Sequence, residues 1–271
     1  MQGLKDFIPT DLKISYLNAL LKVGFDVLDF GSFVSPKLIP QLADTAQVLE
    51  GLDLSATPTQ LLAIIANTRG AEDACRLAPI RYLGFPFSIS ETFQLRNTNK
   101  TIAQSLQQVE EIQNLCMASG KEMVVYISMG FGNPYGDPYN AEIAVKWVAR
   151  LVEMGIKTIS LADTVGVAQP DTIKYLFDTL IPEFPGVEIG AHFHSTPQSW
   201  EEKIAAAYAS GCRRFDSALK GIGGCPMADD ELVGNIATEN ILEWCDRNGH
   251  PTALDRTAFW DAMAIAGQVF H

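Results

Sequence analysis

Short apolar runs and helical stretches alternate through the whole chain, and this alternation limits the fold more than any single motif does. The runs cover residues 24–31, 61–66, 82–87, 123–128, 157–162, 187–193 and 214–218. Leu61-Leu62-Ala63-Ile64-Ile65-Ala66 is a continuous apolar block, the pattern of a strand buried on both faces. Apolar residues at helical spacing follow at 37–50, 70–77, 102–118, 140–153, 171–181 and 198–209, and again at 235–247 and 255–268. One more helix precedes the first run, through 10–23, with Thr10 as its expected N-cap. Residues 90–101 read as a polar loop.

Strand, loop and helix repeat about every 30 residues, the rhythm of a parallel sheet with crossover helices. A single domain over 1–271 uses the whole length. The count is seven strands and the chain opens on a helix, whereas a (β/α)8 barrel opens on a strand and has eight. The expectation is therefore either an open α/β sheet or a TIM barrel whose first strand is not in the sequence given. No GxGxxG or GxxxxGK[ST] follows any run, which argues against a dinucleotide or P-loop site.

Composition narrows the partners. The net charge of −12 argues against nucleic acid. It leaves room for an anionic small ligand, because a local group of Lys and Arg can still bind one. Five cysteines, widely spaced and without a CxxC, suit a reducing compartment better than a disulfide framework. No apolar run is long enough to span a membrane, and no apolar leader opens the chain. A cytoplasmic protein without membrane partners is expected.

The chemistry-bearing residues gather where runs end. Val187-Glu188-Ile189 leads into Gly190-Ala191-His192-Phe193-His194-Ser195-Thr196. In a strand, positions i and i+2 share a face, so His192 and His194 present two imidazoles side by side. Such a pair can ligate a metal, or can be two histidines making ordinary hydrogen bonds. Asp29, Asn67, Arg69, Ser128, Asp163 and Thr164 stand at or just after the ends of other runs, where a barrel keeps its active residues. Asp163 reads equally as a turn or N-cap aspartate. The segment Gly221-Ile222-Gly223-Gly224-Cys225-Pro226 has the composition of a lid. Cys225 there is either a thiol that transfers a proton on closure or an incidental surface cysteine. Cys75, Cys116, Cys212 and Cys245 read as packing residues.

Several of these pieces together resemble the 3-hydroxy-3-methylglutaryl-CoA lyase family. They are Ser32-Phe33-Val34-Ser35-Pro36-Lys37, Leu161-Ala162-Asp163-Thr164-Val165-Gly166, Ala191-His192-Phe193-His194, the cysteine segment, and Gly234-Asn235. Their order and spacing follow the family from about residue 1 to the C-terminus, and the cysteine segment is the most discriminating of them. The resemblance implies a (β/α)8 barrel with Mg²⁺ or Mn²⁺ at its C-terminal mouth. It implies His192, His194 and Asn235 as metal ligands and Cys225 as the group handling the proton of the departing acetyl-CoA carbanion. Asp163 matches an aspartate near the substrate hydroxyl, and Asp29 stands where the family usually has a glutamate. Gln2 and Lys5 match residues just after an Arg-Asp pair that ends the family's first strand. That pair, one member a metal ligand, is expected to lie upstream of Met1.

The implied reaction is a retro-Claisen cleavage of 3-hydroxy-3-methylglutaryl-CoA, or a close 3-hydroxyacyl-CoA, to acetyl-CoA and acetoacetate, a step of leucine catabolism. Asp163 and His192 are the expected bases. An acyl-CoA is the expected partner, and Gln2, Lys5, Lys37 and Arg69 are the substrate-binding candidates, with Arg96 and Lys220 as further cations near the mouth. A homodimer is the expected assembly. Two rival readings stand beside this one. The first is a related aldolase or acetyl-CoA-dependent Claisen synthase. The second is a catalytically disabled acyl-CoA-binding relative.

Overall fold

The structure is a computed structural model that describes the whole chain except Gln2, Gly3, Lys5, residues 224–232 and His271. The first half runs α1 (Thr10–Leu21), β1 (Val27–Ser32), α2 (Thr45–Glu50), β2 (Gln60–Ile64), α3 (Thr68–Cys75), β3 (Ile80–Ser88), α4 (Glu91–Thr98), α5 (Ile102–Ser119) and β4 (Glu122–Ser128). The second half runs α6 (Ala141–Glu153), β5 (Thr158–Asp163), α7 (Pro170–Glu183), β6 (Glu188–Phe193), α8 (Trp200–Ala209), β7 (Phe215–Asp216), α9 (Thr238–Arg247) and α10 (Arg256–Val269).

All seven strands are parallel and pair in sequence order. The architecture is that of a TIM barrel with seven strands among the described residues. β7 and β1 are not paired with each other, so the strand layer is open there. The helix layer closes across that opening, where α1 packs on α10 and Tyr16 meets Phe270 edge-on at 5.6 Å. Asp255 N also donates to Val23 O at 2.9 Å.

Strand parity sorts the side chains into two layers. Leu83, Phe85 and Phe87 of β3, Val125 and Ile127 of β4, Ile159 and Leu161 of β5, and Ile189, Ala191 and Phe193 of β6 are all buried and form the core between sheet and helices. Residues of the other parity face the barrel lumen. There Tyr126 is in register with Ser160, Ala162 with His192, and His192 with Asp216.

Local differences from the sequence reading have identifiable causes. Thr10 is the first helical residue and Pro9 holds the cap position; the Thr10 hydroxyl donates to Asp44 Oδ2 at 2.8 Å instead. Residues 90–101 are not a loop. Ser90 caps α4 by accepting from Phe93 N, and Thr101 and Gln104 form a capping box that starts α5. Polar helix formers around one buried aromatic, Phe93, hid α4 from an apolar-periodicity reading. The helix expected from 235 starts at Thr238, because 233–237 runs extended alongside the end of β6. That extended segment shapes the site.

Candidate active site

The C-terminal ends of the strands carry the functional candidates, as β/α barrels require. His192 is the last lumen-facing residue of β6, and His194 follows just beyond the strand. Their ring centroids are 5.5 Å apart. His194 is buried, and its backbone forms an antiparallel bridge with Asn235. Ile236 N donates to Phe193 O, Ser195 N to Gly234 O, and Asn235 N to Gly223 O. Tertiary hydrogen bonds therefore bring Asn235 beside the histidines.

The Asn235 amide is fixed as well. Its Nδ2 donates to Ile222 O at 3.1 Å, which leaves Oδ1 as the face free to accept or ligate. His194 Nδ1 is buried without a hydrogen-bond partner, and His192 Nδ1 has only the Asp216 carboxylate, at 3.5 Å. Buried polar atoms of this kind usually have a partner, and an orphaned imidazole nitrogen beside a second histidine points to a ligand. Burial pushes His194 down to about 3, with the neighbouring His192 adding to the effect, so its ring is neutral and keeps a lone pair. Two imidazoles and one amide oxygen form a donor set that fits a divalent cation. Among the described residues, no third His, Cys, Asp or Glu joins them.

Beneath the pair lies a polar network. His192 Nδ1 is 3.5 Å from Asp216 Oδ2, and Ser160 Oγ donates to that same oxygen at 2.6 Å. Arg214 Nε stands 3.7 Å from Asp216 Oδ1, and Arg214 also pairs with Glu188 at 2.9 Å. Burial alone would raise the Asp216 carboxyl, but His192 and Arg214 hold it below the usual range. Tyr126 packs edge-on against His192 at 5.5 Å. Gly190 leaves room for Arg214: a Cβ there would sit 2.7 Å from Arg214 Cδ. Asp29 faces the lumen from β1 and is open to solvent. Its depth in the barrel pushes its carboxyl up to about 7, with the N-terminal ammonium, the Gly31 amide and His192 opposing the rise.

Asp163 lies elsewhere. It is in register with Phe193, not with His192, so it faces the helix layer. Its Oδ2 accepts from Lys203 Nζ at 2.6 Å, and its Oδ1 accepts from Val167 N and Ala168 N. Both carboxylate oxygens are thus engaged. Burial raises its pKa, and Lys203 and the two amides oppose the rise. Asn67 caps α3 through Gly70 N. Lys37 is exposed in the loop after β1 and Arg69 in the first turn of α3, just after β2, at the same end of the sheet as the histidines. Arg96 lies in the last turn of α4, over the Tyr135 ring at 4.8 Å. Lys220 is in the turn after β7. Gln2, Lys5 and Cys225 lie outside the described residues.

Sequence reasoning missed Lys203 and Asp216. A signal for Lys203 existed: with Trp200 at i−3 and Ala207 at i+4 it falls on the apolar face of α8. Asp216 was visible only as a polar residue in a short strand.

Residues 1–265 match the HMGL-like family. This chain belongs to the HMGL-like family. Its relatives include the hydroxymethylglutaryl-CoA lyase YngG of Bacillus subtilis, 34% identical over 242 residues, which are 89% of this chain and 80% of that one. The (R)-citramalyl-CoA lyase of Chloroflexus aurantiacus is 32% identical over 268 residues, 95% of this chain and 84% of that one. Among solved HMGL-like structures, an HMG-CoA lyase from Acinetobacter baumannii in complex with coenzyme A and 3-methylmalate superposes with a TM-score of 0.89. The two are 32% identical, with 98% of this chain and 87% of that chain covered.

Proposed function

We propose that this chain is a divalent-metal-dependent carbon–carbon lyase that cleaves 3-hydroxy-3-methylglutaryl-CoA, or a close 3-hydroxyacyl-CoA, to acetyl-CoA and acetoacetate. The observation that carries the reading is the convergence of His192, His194 and the Asn235 amide at the mouth of an HMGL-like barrel. Relatives named as lyases favour it over an aldolase, a Claisen synthase or a disabled acyl-CoA binder.

In this reading His192, His194 and Asn235 hold Mg²⁺ or Mn²⁺. When bound, the ion supplies Lewis acidity toward the substrate oxygens. The chain's own groups handle the protons. An imidazole nitrogen engaged by a cation has no lone pair for a base, so Asp29, open to the lumen, takes the proton of the C3 hydroxyl. Asp163 is held by Lys203 on the other face of β5 and serves the site by ordering the loop after it. The C2–C3 bond then breaks, its electron pair stays with the acetyl-CoA enolate, and a ketone is left on the other fragment. The Cys225 thiol gives its proton to the enolate carbon and regains one from the base through solvent. Tyr126 packs against His192 and fixes its ring at the lumen wall. Lys5, Lys37 and Arg69 supply local positive charge in a chain of net charge −12 and meet the anionic CoA, with the Gln2 amide as a polar contact.

The reading extends to a cytoplasmic homodimer serving leucine catabolism. No described helix is long and apolar enough to cross a membrane. The test is acetoacetate release from 3-hydroxy-3-methylglutaryl-CoA with Mg²⁺ or Mn²⁺ present. Product that disappears on chelation and returns with metal is the expected result. Absence of cleavage with this substrate and with citramalyl-CoA would sink the lyase reading.

A further inference from the structure

Lys203 sits on α8 with 1% of its surface exposed, and burying an ammonium is costly unless its protons are matched. Here all three are. Nζ donates to Asp163 Oδ2 at 2.6 Å, to Gly166 O at 3.0 Å and to His194 O at 2.8 Å. One cation thus joins three segments: the loop leaving β5, helix α8, and the backbone of His194 itself. The pinned loop touches the site at two further points. Thr164 Oγ1 accepts from Met129 N at 2.9 Å, tying in the end of β4, and the Thr164 backbone lies beside the His194 ring. Gly166 lies so close to Val233 that a Cβ on it would stand 3.0 Å from Val233 Cγ1. Val233 begins the extended segment that delivers Asn235.

We propose that Lys203 is a positioning residue for the metal centre, setting the His194 peptide directly and the Asn235 segment through the loop it shares with Asp163. A buried ion pair is a weak device for stability alone, because a well-packed apolar replacement often does as well. What a cation adds here is direction: its three bonds fix a carbonyl two atoms from a ligating side chain. This rests on the reading that His192, His194 and Asn235 bind a divalent ion.

The experiment is Mn²⁺ titration by calorimetry on the parent protein, on Lys203→Met and on Asp163→Asn/Lys203→Met, with circular dichroism melts alongside. Lys203→Met leaves Asp163 buried without its partner and lowers the melting temperature; the double variant removes that uncompensated charge and recovers most of it. Both variants bind Mn²⁺ about 10- to 100-fold more weakly than the parent, the range for residues that orient metal ligands. Stability recovered without affinity separates positioning from scaffolding. Mn²⁺ affinity equal to the parent's in a folded variant overturns the proposal, and so does a double variant that fails to fold, since Lys203 is then scaffolding only. A parent that binds no Mn²⁺, or a His194→Ala variant that binds as the parent does, overturns the metal reading itself and the proposal with it.

Discussion

His192 and Asp216 form a cross-strand pair, in register on β6 and β7, with Nδ1 3.5 Å from Oδ2 and Ser160 Oγ holding that oxygen at 2.6 Å. Histidine ligands commonly lean on a carboxylate in this way, which fixes the tautomer and turns the other ring nitrogen outward. Asp216→Asn keeps the shape and removes the charge. It should weaken Mn²⁺ binding by about 10- to 100-fold in a calorimetric titration while the far-ultraviolet spectrum stays that of the parent. Unchanged affinity would show that the pair does not orient His192.

Ligand binding to the folded state alone adds stability by mass action. With free Mn²⁺ at about 100 times its dissociation constant, the protein should gain about 2.7 kcal/mol, read as an upward shift in a thermal melt. His192→Ala and His194→Ala should abolish the shift. Chelation should return the parent to the metal-free curve and stop acetoacetate release.

Gly221 has φ +63°, and a Cβ on it would meet Asn235 O at 2.7 Å. Gly221→Ala therefore combines left-handed strain with a backbone clash against the Asn235 segment. A loss of about 1–3 kcal/mol is expected from strain of this kind, measured by urea unfolding, together with weaker Mn²⁺ binding. Gly249→Ala is the control, with φ +72° but open space at the Cβ position; it should lose stability and keep its affinity.

Asp137 binds the loop leaving β4 to the start of α4, accepting from Ser90 Oγ, Thr92 N and Thr92 Oγ1. Desolvation opposes these bonds, but they win and hold its carboxyl below the ordinary value. A depressed carboxylate contributes stability above its unfolded pKa and loses it as pH falls through the folded one. Asp137→Ala should thus cost about 1–3 kcal/mol at pH 7, and the difference should shrink as the pH falls below about 4 and on through the lowered pKa of the folded state. Equal differences at both pH values would exclude this origin.

The sequence by itself determined the layers, the strand order class and the histidine pair. A continuous apolar run such as 61–66, too short for a helix and flanked by helical patterns, reads as a strand covered on both faces, and within a strand a two-residue period sets His192 and His194 on one side. Those are properties of neighbours in the chain. The tertiary structure decided what meets the pair. Asn235 reaches His194 because the 233–237 segment pairs with the end of β6 across about forty residues of intervening chain, a register no local pattern encodes. Asp216 joins His192 through strand pairing, and Lys203 reaches Asp163 because α8 packs over β6, the strand beside β5. Asp163 shows the boundary between the two kinds of information most clearly. Its position at a strand end was legible, but one residue of parity turned it toward the helices, where a buried lysine instead of the lumen receives it.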